Sequence, residues 1–110
     1  PPPPDSLLAI GGALHPTPAV AGYPRARANA LRAEHEGFDR GWFAGPIGWM
    51  NASGDGEFRV ALRSALIDDE TTLYAGAGVV SGSDPDRELL ETDMKLEAML
   101  GPVLAASNGQ

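Results

Sequence analysis

Two prolines placed two residues apart, Pro16 and Pro18, impose the strongest local constraint on the fold of this chain. Each proline lacks an N–H donor, and each pushes the residue before it toward extended backbone. A regular helix therefore cannot run through residues 15–22. We expect a shaped loop there, with separate elements before and after it.

Three segments have the composition and the end signals of helices. The first, residues 7–14, follows Ser6, which is a suitable N-cap. The second, residues 25–36, is rich in Ala, Leu, Arg and Glu and is followed by a glycine. The third begins at Asp84 and Pro85, a strong helix start, and carries an apolar stripe.

The central part of the chain has the pattern of strands joined by turns. Apolar stretches at residues 42–50, 58–67 and 73–80 are separated by turn-forming residues at 51–56 and 68–71. We expect an antiparallel meander of three strands and an α+β fold. The aliphatic, Gly and Ala residues of these strands indicate burial on both faces, which three strands alone cannot provide, so another element must cover them.

The charge balance excludes some classes of partner. Eight Lys and Arg against fifteen Asp and Glu give the 110-residue chain a formal charge of −7, which opposes the phosphate neutralisation on which nucleic-acid binding depends. Anionic membranes are poor partners for the same reason. No stretch approaches the roughly 20 apolar residues of a membrane helix, and the chain has no cysteine for a disulfide or a zinc–thiolate site. We expect a cytoplasmic location.

Three residues of the last predicted helix, Glu88, Glu91 and Lys95, are spaced three and four apart and therefore lie on one face. One or two glutamates are sufficient protein ligands for Mg²⁺, which keeps water and ligand oxygens in its other positions. A solvated stripe with an ordinary Glu91–Lys95 ion pair is the commoner explanation of such spacing.

Two features of the predicted strands also have both a ligand-binding and a structural explanation. Period-2 alternation places Arg59 and Arg63 with small neighbours on one strand face, where an arginine can clamp a carboxylate or simply face solvent. Gly76 and Gly78 also alternate, which lets either another backbone segment or a ligand approach closely.

The order of these weak signals is more specific than any one of them, and it resembles the C-terminal segment of the chorismate-binding enzymes. That family includes isochorismate, salicylate, anthranilate and aminodeoxychorismate synthases. The segments that carry the resemblance, which spans about residues 14–100, are His15–Ala19, Phe38–Gly45, Gly56–Phe58, Ala61–Arg63, Ala75–Val80, Ser83–Pro85, Glu88–Thr92 and Lys95–Leu96.

The resemblance implies a role for each candidate residue. Glu91 is expected to bind Mg²⁺, with Glu88 beside the metal. Arg63 and Lys95 are expected to hold the carboxylates of chorismate, helped by backbone N–H groups around Gly76. The implied fold is the C-terminal part of a large α+β sandwich, with antiparallel strands, a flanking helix and a metal-side helix at the C-terminus.

The resemblance also implies which product is formed, through the residue at position 19, Ala19. The loop His15–Ala19 is similar to that of the isochorismate-forming members, whereas salicylate-forming members carry Thr where Ala19 stands. The implied reaction is attack of water at ring C2 of chorismate with loss of the C4 hydroxyl, in menaquinone or siderophore biosynthesis. A salicylate synthase and a non-catalytic ligand-binding or structural module are the alternatives.

The resemblance assigns no catalytic acid or base to these residues and implies that both belong to an upstream segment of the same enzyme. Residues 1–110 are therefore expected to form one segment of a chorismate-binding domain, with a ragged Pro-rich start at 1–5 and a frayed tail at 105–110. By itself this segment is expected to be inactive, because it lacks the acid and the base, and poorly stable, because its sheet would expose a large apolar patch.

Overall fold

The computed structural model describes residue 3 and residues 5–107, and the chain divides into two compact units, 1–61 and 62–110. The described residues form an α+β structure, as the sequence predicts. The elements of the first unit are α1 (Leu7–Leu14), α2 (Pro18–Ala21), α3 (Arg25–His35), β1 (Pro46–Met50) and β2 (Gly56–Val60). Those of the second are β3 (Ser64–Ile67), β4 (Thr71–Tyr74) and α4 (Pro85–Ser107).

Helices α1 and α3 lie where the sequence predicts them. The Ser6 hydroxyl accepts a hydrogen bond from the Ala9 N–H at 3.2 Å and caps α1. Helix α3 ends at His35, one residue earlier than expected, and Gly37 follows with a φ of 66°. That left-handed backbone is the usual device for ending a helix, which is why a glycine stands there.

The predicted loop at residues 15–22 is partly wrong, because it contains the single helical turn α2. Thr17 has extended backbone, as expected before a proline, and Pro18 takes the first helical position. The N–H that a proline lacks has no partner at that position in any helix, so Pro18 begins the turn at no cost. The turn ends at Gly22, whose N–H bonds to the Pro18 carbonyl at 2.8 Å.

Strands β1 and β2 form the predicted antiparallel hairpin, with Pro46 opposite Val60 and Met50 opposite Gly56. The Asn51 side-chain oxygen organises the turn by accepting from the N–H groups of Ser53 at 3.0 Å and Asp55 at 2.9 Å. The first strand begins only at Pro46, later than predicted, because residues 40–45 form tight turns.

The prediction of one strand over residues 58–67 is wrong. Ala61 still pairs with the chain before β1, its N–H bonding to the Gly45 carbonyl at 2.8 Å, but the extended backbone breaks at Arg63. Arg63 has a φ of 45°, in the left-handed region that non-glycine residues rarely adopt. The strand alternation that placed Arg59 and Arg63 on one face therefore does not apply.

The three-stranded meander is also wrong, since the described strands form two separate two-stranded sheets. In the second sheet β3 and β4 pair antiparallel, with Ser64 opposite Tyr74 and Ile67 opposite Thr71, around the predicted turn. Strand β4 ends at Tyr74. Residues 75–80, predicted as strand, instead follow it without regular hydrogen bonding.

Helix α4 begins as predicted, with Pro85 in its first position. The Asp84 carboxylate accepts from the N–H groups of Asp86 at 3.0 Å and Arg87 at 3.5 Å. The helix continues through Pro102 to Ser107. Of the tail expected to fray, 105–110, the last three residues lie outside the described part of the chain, as does most of the expected ragged start at 1–5.

Apolar side chains of both units are exposed to an unusual degree. Among the described residues only Ala44 is buried. Every residue of β1 is exposed, and so are Leu89, Leu90 and Met94 on α4. No helix among the described residues has both the length and the hydropathy needed to cross a membrane.

Among the described residues, no apolar side chain of the two sheets or of α4 is buried. These elements therefore lack the covering that the sequence indicates they need.

Replacing Asp84 by Ala should destabilise α4, because the N–H groups of its first turn lose their acceptor. We expect a loss of about 1 kcal/mol in the free energy of unfolding, measured by urea denaturation. Asp93→Ala, at an exposed position within the same helix, is the control and should change stability by less than about 0.5 kcal/mol. Equal effects of both changes would contradict the capping role.

Candidate functional site

Helix α4 and the chain that follows β4 bring three of the predicted site residues into direct contact. The Lys95 ammonium donates to the Gly76 carbonyl at 2.9 Å and to Glu91 Oε1 at 2.5 Å. Glu91 and Lys95 are one helical turn apart, so their ion pair lies along the surface of α4. Exposed pairs of this kind contribute only about 0.3–0.5 kcal/mol, so the contact matters mainly because it fixes where the two charges lie.

Glu88 lies one turn before Glu91, on the same helix. It lines a cavity of about 370 Å³ in the second unit, together with residues from α4 and from the chain before it. The other lining residues are Ala77, Val79, Ser83, Pro85, Leu89 and Thr92. Glu88 is half-buried, whereas the Glu91 side chain is 56% exposed. Glu88 thus borders the irregular segment directly, whereas Glu91 is linked to it through Lys95.

Gly76 and Gly78 leave space beside this segment. Apart from the glycine itself and its two chain neighbours, no heavy atom lies within 4 Å of the point where a side chain would begin at either position. The expectation of a close approach within a strand is wrong, because both glycines lie beyond the end of β4. Their neighbourhood is open rather than filled by packing, which leaves room for a ligand.

Arg63 belongs to the same unit but to a different element, the bend just before β3. Its side chain is exposed, and its guanidinium forms no ion pair or hydrogen bond with any residue that the structure describes. An arginine at a left-handed position with its donors unused is unusual for a residue that only stabilises the fold. It remains available to bind an anion.

Ala19 lies on α2, in the first unit, where its side chain is exposed. That unit has a cavity of about 310 Å³, lined by residues of the loop before α2, of α3 and of the turns before β1. His15 and Arg40 are among its polar lining residues. The first residue of the predicted His15–Ala19 motif therefore borders a cavity.

The second unit offers donor atoms of the kind that a hard divalent cation prefers. The Glu88 and Glu91 carboxylates and the Gly76 carbonyl are oxygen donors, and Lys95 joins two of them, Glu91 and the Gly76 carbonyl. Within the part of the chain that the structure describes, no three His, Cys, Asp or Glu side chains form a group suited to hold a metal. Any Mg²⁺ here would need oxygens from water or a ligand as well.

Comparison with known proteins shows the family of this chain. The family model of the chorismate-binding enzymes matches residues 2–104. The chain belongs to this family. Relatives include the salicylate biosynthesis isochorismate synthase of Pseudomonas aeruginosa, which is 52% identical over 84% of this chain and 20% of its own length. Isochorismate synthase DhbC of Bacillus subtilis is 48% identical over 86% of this chain and 24% of its own length.

A solved structure of the chorismate-binding family confirms the fold. A crystal structure described as a 2,3-dihydroxybenzoate-specific isochorismate synthase, DhbC, from Bacillus anthracis matches with a TM-score of 0.76 and 38% identity. The match covers 93% of this chain and 28% of the other. The chain thus spans about a fifth to a quarter of the length of the curated relatives named above.

Among the described residues, the ion pair of Glu36 with Arg40 has the most hydrogen bonds, and the sequence did not single it out. Arg40 Nε lies 3.0 and 2.8 Å from the two Glu36 carboxylate oxygens, and Arg40 Nη2 also donates to Oε1. Their spacing of four residues could have indicated an ion pair on a helix. Arg40 lies beyond the end of α3, however, so helical spacing does not explain the contact. The hydrogen bond from Arg40 lowers the pKa of Glu36, although partial burial opposes this.

The stability contributed by Glu36 should depend on pH. Because its folded-state pKa is depressed, this stability is fully present above the ordinary value of 4.5 and is lost as the pH falls through the folded pKa. Glu36→Gln should cost on the order of 1 kcal/mol at neutral pH, and its difference from wild type should shrink in acid. Urea unfolding across pH measures both. Glu34→Gln, at an exposed position of the same helix, is the control, and a difference that does not change with pH would contradict the assignment.

Proposed function

We propose that this chain forms the metal- and carboxylate-binding part of an enzyme that isomerises chorismate to isochorismate. The observation that carries the proposal is the contact of Lys95 with both Glu91 and the Gly76 carbonyl. It joins a cation, a carboxylate and the open glycine segment, Gly76–Gly78, within one unit of the chain. The names of the similar proteins, all isochorismate synthases, support the choice of reaction.

Chorismate is a compact dianion, and two cationic side chains of the second unit suit its carboxylates. Arg63 offers a planar guanidinium whose paired N–H groups can hold a carboxylate through two parallel hydrogen bonds. Lys95 offers a point charge and is anchored by the Gly76 carbonyl. We assign both residues to substrate binding, together with the backbone N–H groups around Gly76.

Glu91 and Glu88 are the residues that would hold Mg²⁺. When bound, the ion would neutralise a substrate carboxylate and help to orient the ring. Glu91 is well suited because its carboxylate is about half exposed and already holds a cationic group. Glu88 is half-buried and lines the adjacent cavity, so we assign it a position beside the metal, reached through water.

In the proposed reaction, a water oxygen forms a bond to C2 of the chorismate ring, both ring double bonds shift by one position (C1=C2 to C1=C6 and C5=C6 to C4=C5), and the C4–O bond breaks. A general base takes the proton from the attacking water, and a general acid protonates the departing hydroxyl group, so water is consumed and released in balance. We assign neither role to these 110 residues. The length of the related enzymes supports placing both groups in another segment of the same protein.

Ala19 supports isochorismate as the product rather than salicylate, whose formation requires elimination of pyruvate as well. A small apolar side chain at this position offers no hydroxyl to the ring substituents. Chromatography of the products from the full-length protein tests the proposal directly. Isochorismate as the sole product is the expected result, and the absence of any chorismate-consuming activity would refute it.

Replacing Glu91 by Gln should abolish Mg²⁺-dependent activity in the full-length protein, because a neutral amide is a much weaker ligand for a hard cation. Stability should hardly change, since the side chain is largely solvated. Calorimetric Mg²⁺ titration and urea unfolding separate the two effects. Glu97→Gln, at an exposed position farther along α4, is the control, and unchanged Mg²⁺ binding in Glu91→Gln would make the metal assignment wrong.

Replacing Arg63 by Gln should mainly weaken chorismate binding. Gln keeps a Cβ at the left-handed position, so the backbone preference changes little while the charged donors are lost. Hydrogen bonds to charged groups contribute about 1.5–3 kcal/mol, which predicts a rise in KM of roughly ten- to a hundredfold. Arg59→Gln is the matched control, because Arg59 is exposed and pairs with Glu57. Equal KM values for the two variants would contradict the assignment.

A further inference from the structure

Arg40 belongs to the Phe38–Gly45 segment, for which the proposed function gives no role. Its guanidinium contacts three groups, which are a carboxylate, a backbone carbonyl and an aromatic ring. The Nε and Nη2 groups hold both carboxylate oxygens of Glu36, and Nη1 donates to the Val20 carbonyl at 2.8 Å. The guanidinium also lies 5.7 Å from the centre of the Phe43 ring, within the range of a favourable cation–π contact.

The Val20 carbonyl needs a donor from outside α2. Carbonyls in the last turn of a helix have no intrahelical partner, and in a four-residue helix this turn is the whole element. So short a helix is not stable by itself in water. The hydrogen bond from Arg40 Nη1 supplies a donor that α2 cannot supply and ties the turn to a residue 20 positions later.

Glu36 holds the guanidinium in the orientation that this contact requires. It lies just beyond α3, and its N–H bonds to the Arg32 carbonyl at 2.9 Å, so its backbone is fixed by the helix. The Arg40 and Glu36 side chains are only 21% and 25% exposed, which reduces screening of the pair by solvent. The connection therefore runs from α3 through Glu36 and Arg40 to α2.

We propose that Arg40 is a positioning residue that fixes α2, and with it Ala19, against the end of α3. Ala19 immediately precedes Val20, so a displacement of the Val20 carbonyl moves the Ala19 backbone as well. The proposal rests on the proposed function in one respect, which is that Ala19 contributes to the choice of product. Arg40 itself has no assigned contact with chorismate, so it acts through α2.

Only arginine can form this set of contacts. Its planar fork directs two donors at one carboxylate and a third at a carbonyl. In Arg40→Lys the positive charge near Glu36 is kept, but one ammonium cannot reproduce the bidentate pair together with the Val20 bond. Arg40→Gln removes the charge as well. Arg32→Gln is the matched control, because Arg32 contacts Glu36 at 3.6 Å but has no hydrogen bond to α2.

The test has two measurements on the full-length protein and its variants. Hydrogen–deuterium exchange of a peptide covering residues 17–22 reports on α2, where the N–H groups of Ala21 and Gly22 bond to Thr17 and Pro18. We expect exchange to be roughly ten- to a hundredfold faster in Arg40→Lys and Arg40→Gln, and unchanged in Arg32→Gln. Unchanged exchange in folded Arg40→Lys would overturn the proposal, and this variant decides the question if Arg40→Gln fails to fold.

Kinetics then separate positioning from general destabilisation. With kcat expressed per mole of folded protein, we expect kcat/KM for chorismate to fall roughly ten- to a hundredfold in Arg40→Lys, with Arg32→Gln close to wild type. Faster exchange with unchanged kcat/KM and product composition would overturn the positioning role. Wild-type protein that forms no isochorismate would instead refute the proposed function, and the exchange measurement would still show whether Arg40 fixes α2.

Discussion

The ammonium group of Lys95 joins the two elements that make up the candidate site of the second unit. It connects α4 to the irregular chain after β4 by pairing with Glu91 and the Gly76 carbonyl. Among the residues that the structure describes, no other hydrogen bond links the Gly76–Gly78 segment to the helix that carries the carboxylates. The same interaction satisfies a carbonyl that no strand partner reaches, and it brings a cation to the place where a metal and an anionic substrate are proposed to bind.

The described part of the chain has almost no buried interior, and its large apolar side chains are left accessible to solvent. Nearly all large aliphatic and aromatic side chains of the described residues are exposed or half-buried, and Ala44 alone is buried. Two strands form only one layer, and a single layer cannot bury apolar groups on both of its faces. The matches cover only 20% and 24% of the length of the two named relatives, so in those proteins other segments are available to cover the corresponding surfaces.

Local signals predicted the helices well and the strands less well. The caps at Ser6 and Asp84 and the turn at Asn51 depend on hydrogen bonds within five residues, and the structure confirms all three. The continuous strand through Arg63 was predicted from the alternation of side chains alone. Alternation gives no sign of a left-handed backbone at a residue other than glycine, and Arg63 is such a residue. The helical turn α2 was missed because two prolines indicate a loop unless one of them begins the turn.

By itself, the sequence determined the family, the α+β class and where the longer helices begin, because motif order, composition and caps can be read along the chain. It also supplied Glu88, Glu91, Lys95 and Gly76 as candidates. Only the tertiary structure decided that Lys95 bonds to Gly76, that Arg63 lies in a bend with its guanidinium unpaired among the described residues, and that Arg40 connects Glu36 to α2. Lys95 and Gly76 are 19 residues apart and Arg40 and Val20 are 20 apart, and no sequence periodicity specifies contacts over such separations.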